Sequence, residues 1–218
     1  MSRVLLTCRV SAFLVLVGTL PAESRAFQVD EADPHRLTVR LATVESLPAE
    51  AHAALVAEVS RIWTRSGVEV VWTPPGGSVP TNDAVSVRVL VVSRRAPGAR
   101  AEHTWPVAEL VPGADGHPVA IASLEAAGRV LRVTGHTDEP ESLVRRRLGV
   151  VLGRAVAHEI GHALLGPSHD RHGLMRARID AAEFADLRDA GFGFDRARAA
   201  AARVALAARS GRRLATAQ

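Results

Sequence analysis

Apolar and polar residues alternate with period two across 36–44, Arg-Leu-Thr-Val-Arg-Leu-Ala-Thr-Val, which predicts a strand. Pro48 then opens a stretch to about 66 in which Leu55, Val59, Ile62 and Trp63 recur at helical spacing until Gly67 stops it. Residues 68–72 form a second predicted strand, closed by Pro74-Pro75-Gly76-Gly77, and 85–92 a third, central one. Scattered Pro and Gly make 94–117 a predicted long loop. Two short strands are expected at 119–123 and 130–133, around a turn at Ala126-Ala127-Gly128. A long helix follows over 141–165, with Pro140 in its first turn. Its apolar face is Leu143, Leu148, Val151, Leu152, Ala155 and Val156, and Gly166-Pro167 ends it. A further helix is expected at 180–190, and the Ala/Arg-rich stretch from about 195 is helical by propensity. The order β-α-β-β-β-β-α-α, with no repeat or linker, predicts an α+β domain. Its sheet is small, mixed and mostly parallel, and a long helix backs it.

Residues 1–26 follow another pattern. Arg3 and Arg9 flank the start of a short apolar run, Val10-Ser-Ala-Phe-Leu-Val-Leu-Val17, which Pro21 breaks. Ser24-Arg25-Ala26 places small residues at −3 and −1 of a cleavage point before Phe27. This is the pattern of a secretory signal, and the run is short for a membrane span of about 20 residues. The expected organisation is a signal over 1–26, a domain over 27–195 and a tail over 196–218. The expected location is secreted or periplasmic. Retention of the signal as an anchor is the other reading.

Composition narrows the classes. With 218 residues, 47% hydrophobic and 23% charged, the chain can bury a core and is not a disordered segment. Its single cysteine, Cys8, lies in the signal, which excludes an internal disulfide framework and a Cys-rich zinc site. All 27 basic residues are arginine. The formal charge of +4 falls to +2 without 1–26. The tail contributes six arginines and no acid, so 27–195 carries −4. The basicity therefore belongs to Arg196, Arg198, Arg203, Arg209, Arg212 and Arg213. No aromatics interleave there to stack bases, so nucleic acid is not an expected partner. An anionic envelope surface is the partner that such a tail would suit.

Four of the nine histidines, His158, His162, His169 and His172, fall within fifteen residues at the end of the long helix. His158-Glu159-Ile160-Gly161-His162 is an H-E-x-x-H sequence. On a helix, positions i and i+4 lie about 40° apart, so both imidazoles leave one face and can share a metal ion. Glu159 is angularly offset, toward a metal-bound water. Zinc suits imidazole ligands, and a catalytic site keeps three protein ligands and one open position. For the third ligand the residues leave four candidates: His169, reached after the sharp turn that Gly166 permits; Glu183, on the next predicted helix; Asp170; and His172. A Gly-x-Ser-x-Gly elbow and a Gly-rich phosphate loop are both absent from the sequence.

The stretch 155–177 resembles the metzincin zinc peptidases, whose motif H-E-x-x-H-x-x-G-x-x-H precedes a methionine turn. His158, Glu159 and His162 match directly, Gly166 and His169 each lie one residue later than that pattern, and Met175 matches the methionine turn in type and distance. Over 36–135 the resemblance is one of element order. It implies a zincin-type fold with the active-site helix last, Zn2+ on His158, His162 and His169, and Glu159 as general base. The expected function is that of an exported zinc-dependent endopeptidase acting on protein or peptide substrates. The alternative is a catalytically inactive zinc-binding module on the same scaffold.

Overall fold

Strand β1 (Arg36–Thr43) buries Leu37, Val39 and Leu41, the apolar positions of the predicted strand, and Thr38 on its other face as well. A computed structural model describes residues 35–43, 47–74, 85–93, 107–188 and 191–216; the proposed signal 1–26 and its cleavage point lie outside them. β1 pairs in parallel with β2 (Glu69–Thr73) and β3 (Ser86–Val92), and β3 pairs in parallel with β5 (Pro118–Ser123). β4 (Ala108–Pro112) runs antiparallel to β5, Leu110 facing Ala120, and ends the order β2-β1-β3-β5-β4. The fold class is therefore α+β with a mostly parallel five-stranded sheet, as expected from the sequence.

Between β1 and β2 runs helix α1 (Ala49–Thr64), whose Leu55, Val59, Ile62 and Trp63 are fully buried. It packs against α3 (Glu141–Leu165), the long helix that also touches β3, β4 and β5. Close approach requires two small residues on α3: a Cβ at Gly149 would overlap the Ala51 carbonyl, and one at Gly153 would meet the Glu58 Cβ at 2.8 Å. Beside that contact Arg154, 1% exposed, donates from Nε to Glu58 Oε1 at 2.8 Å. Burial alone would raise the Glu58 carboxyl, but hydrogen bonds from Arg61 and Arg154 outweigh it and hold the group below its ordinary value. A buried charge survives in such a place only when paired.

Three local expectations are corrected. Residues 130–133 are not a strand but the end of helix α2 (Leu124–Val133), because the Ser123 hydroxyl accepts from the Ala126 N–H and caps a helix start. The expected loop 94–117 contains β4, returned onto β5 by a turn in which Gly113 N–H bonds to the His117 carbonyl at 2.9 Å. The helix expected over 180–190 is shorter, α4 (Ala181–Ala185), since Asp186 takes extended backbone angles. The stretch expected as a tail is, over Arg196–Thr216, helix α5, and Ala199, Ala202 and Leu206 bury a helical stripe in the core. It belongs to the same compact unit as the rest of the described residues.

Candidate metal centre

Helix α3 delivers His158 and His162 from its last two turns, one turn apart on one face, with ring centroids 4.6 Å apart. Gly166 then turns the chain with φ 86° and ψ −176°, a region that is open essentially to glycine alone. The turn carries His169 back over the helix, its ring 5.5 Å from that of His158 and 4.8 Å from that of His162. Ligand atoms of these three histidines all lie within 4.8 Å of one another. The residue by which this stretch exceeds the metzincin spacing is absorbed by helix, which continues to Leu165 before Gly166 N–H bonds back to the His162 carbonyl.

The other candidate third ligands are engaged elsewhere or exposed. Both Glu183 carboxylate oxygens bond to the Arg176 guanidinium, Asp170 bonds to Arg198, and His172 is exposed outside the cluster. Met175 is buried beneath the helix at the level of the two ligands, and a Cβ at Gly161 would overlap its sulfur. Glycine at 161, the fourth residue of the H-E-x-x-H sequence, is thus what lets the methionine pack there.

The donor set fits a divalent cation that prefers nitrogen. His158 Nδ1 lies 2.7 Å from the Leu174 carbonyl oxygen and His162 Nδ1 2.9 Å from that of Gly166. A carbonyl only accepts, so each Nδ1 carries the proton and each Nε2 a bare lone pair. Those two Nε2 atoms face each other at 2.9 Å. Two lone pairs so placed repel, and burial pushes His158 down to about 4, which keeps that ring neutral. A divalent cation held by the two Nε2 atoms would remove the conflict, since each lone pair would then be donated to the ion. His169, although exposed, is also held below its ordinary pKa by partial desolvation of its ring and by His162, with Asp170 opposing.

Glu159 is half-buried beside the triad. Burial pushes its carboxyl up to about 7, the Glu109 carboxylate adds to the push, and a hydrogen bond from the Leu110 N–H works against it. Both neighbours stand on β4, so the edge strand borders the site. Their part was invisible in the sequence because 94–117 reads as loop; the signal was the run Ala-Glu-Leu-Val-Pro ahead of Gly-Ala-Asp-Gly, a short strand entering a turn. A cavity of about 790 Å³ opens beside His158 and Glu159, walled by α2 and by residues 176–181 with Phe184. That wall is tied back to α3. Arg154 donates to the carbonyls of Glu183, Phe184 and Arg188, and Arg147 to that of Ala185. An arginine inside the apolar face of a helix was the available signal for this hub.

No protein-family model matches the sequence, and no curated protein matches it. The structure is similar to the crystal structure of archaemetzincin from Methanopyrus kandleri. The TM-score is 0.50 at 13% sequence identity, over 82% of this chain and 99% of that chain. At so low an identity the likeness concerns the fold, and the fold of this chain is like that of archaemetzincin.

Proposed function

We propose that this chain is an exported zinc-dependent endopeptidase. The observation that carries the reading is the position of Glu159: a purely structural metal site has no need of a half-buried carboxyl next to its ligands and at the wall of a large cavity. His158, His162 and His169 would hold the ion, which when bound supplies Lewis acidity toward a peptide carbonyl and lowers the pKa of a water. Glu159 takes the proton of that water and later delivers it to the leaving amine. Strand β4 ends the described sheet, and an extended peptide would pair on its edge beside the Leu110 N–H that bonds to Glu159. The cavity beside it has room for a large substrate side chain. Export rests on the pattern of residues 1–26. Arg198, Arg203 and Arg209 bond within the fold, so any contact with an anionic envelope surface would fall to the remaining arginines of the C-terminal region, Arg196, Arg212 and Arg213.

Replacement Glu159→Gln tests the mechanism. Bound zinc should be retained while hydrolysis of casein or a peptide library falls by about 10²–10⁴, the usual contribution of a general base. Unchanged hydrolysis defeats the assignment of Glu159. A wild-type chain that binds zinc but turns over no peptide is the inactive zinc-binding module instead.

A further inference from the structure

His169 is the triad member with the least support of its own. It is exposed, and among the described residues no hydrogen bond reaches its ring, whereas the rings of His158 and His162 are each fixed by a carbonyl. Its place is therefore set by the backbone on either side of it. Asp170 N–H bonds to the Met175 carbonyl at 2.8 Å, which closes the loop onto the methionine turn. The remaining hold comes from α5. Arg198 donates from Nε and Nη2 to Asp170 Oδ1 at 2.9 and 2.6 Å, and Nη2 lies 3.4 Å from Ser168 Oγ. One guanidinium thus grips the residue before His169 and the residue after it.

Helix α5 is built to hold that guanidinium still. Asp195 Oδ1 caps the Arg198 N–H at 2.7 Å, and Ala202 and Leu206 lie in the core. Arg203 Nη1 donates to the Ser66 carbonyl at 2.6 Å, and Arg209 Nη2 to the carbonyl of Ala163, the residue after His162, at 2.9 Å. The same helix therefore grasps the loop and the end of α3 from which the other ligands come. We propose that Arg198 is a positioning residue for the third metal ligand, with α5 as the strut that keeps His169 over the helix-borne pair. This rests on the triad being a metal site and is independent of whether the chain hydrolyses peptides.

A part-exposed ion pair adds little to global stability, so the effect should appear at the site and not in the fold. In the full-length protein, Arg198→Ala is expected to speed Zn2+ transfer to an excess of chelator by about 10–100-fold, the usual range for a partner that orients a ligand. The melting midpoint of the metal-free protein should not move. Arg198→Lys should fall between the two, since an ammonium reaches Asp170 without the fork that also spans Ser168. In the Co2+-loaded protein, Arg198→Ala should alter the visible absorption bands, while Arg196→Ala, on an exposed neighbouring position, should leave them as in wild type. Zinc release at the wild-type rate from Arg198→Ala overturns the proposal. So does a metal-free midpoint that falls as far as the metal-bound one, which would make Arg198 a stability residue. Wild type that holds Zn2+ but hydrolyses nothing defeats the peptidase reading and leaves this inference standing; wild type that holds neither Zn2+ nor Co2+ defeats both.

Discussion

His158 and His162 leave the last turns of a 25-residue helix, whereas His169 leaves a loop that begins where the helix has ended. The first two inherit their spacing from helical geometry and their ring orientation from the Leu174 and Gly166 carbonyls. The third inherits neither, and its neighbours are held from a helix that starts 27 positions later in the chain, at Arg196. The difference teaches that one candidate metal site can have two mechanical parts. A helix supplies a preorganised pair, and a clamped loop completes it. Binding to preorganised groups forgoes less ordering entropy, so the two parts should not contribute alike.

The widest gap is expected between ligand deletions. His158→Ala should abolish stoichiometric zinc retention, because the remaining His162 and His169 share no helix and keep their spacing only through the turn at Gly166 and the clamp from α5. His169→Ala should keep the helix-borne pair and weak binding, at least about tenfold tighter than His158→Ala. Dialysis against graded zinc buffers followed by metal analysis checks this. Equal affinities would mean that the helix gives its pair no advantage.

Next in size is the frame beneath the helix. Arg154→Ala leaves Glu58 buried without its partner across the α1–α3 contact and frees the carbonyls of the cavity wall. Leaving a buried charge without any partner costs about 3–5 kcal/mol; Arg61, which keeps its two bonds to Glu58, should hold the loss at or below the lower end of that range, which urea denaturation of the metal-free protein would report. Because the folded-state pKa of Glu58 is lowered, its contribution is present above the carboxyl's unfolded value. It is lost as the pH falls through the lower, folded one. The wild type should therefore lose stability on acidification more steeply than Glu58→Gln. Coincident acid profiles would show that the pair is not a source of the fold's pH dependence.

These two parts were unequally legible in the sequence. The helix-borne pair is written in five adjacent residues, and local spacing alone places both rings on one face. The long helix and its glycine stop followed from periodicity for the same reason. His169 is one of four candidates in the sequence because the path of a loop depends on partners far away in it: Arg198, within the Arg-bearing stretch expected as a tail, sits 28 positions beyond Asp170. The apolar stripe Ala199, Ala202 and Leu206 was present in that stretch, but a run rich in alanine and arginine shows little contrast between faces. Strand β4 failed for a kindred reason. Five residues that end in proline carry too short an alternation to outweigh the Gly and Pro around them, and only pairing with β5 makes the strand. Helix α2 is hidden because Ala126-Ala127-Gly128 has the composition of a turn, and only the cap at Ser123 marks the start of a helix there.

The smallest expected effect falls on the residue that both parts share. Gly166 ends α3, and its carbonyl oxygen fixes the His162 ring while its φ of 86° and ψ of −176° begin the loop that returns His169. There is open space where a Cβ would stand, so Gly166→Ala meets no steric obstacle beyond its own backbone. The strain of holding alanine in that region is about 1–3 kcal/mol, and the chain can relieve it by rotating the peptide. Rotation would turn the carbonyl away from His162 Nδ1 and swing the loop together with it. Gly166→Ala should therefore lower the melting midpoint by a few degrees, about what such a strain implies for a domain of this size. It should also accelerate zinc release, since it loosens a helix-borne ligand and the loop-borne one at once. If the midpoint drops while zinc release is unchanged, the strain has been absorbed outside the turn. The separation between the two halves of the coordination sphere would then be sharper than one shared residue suggests.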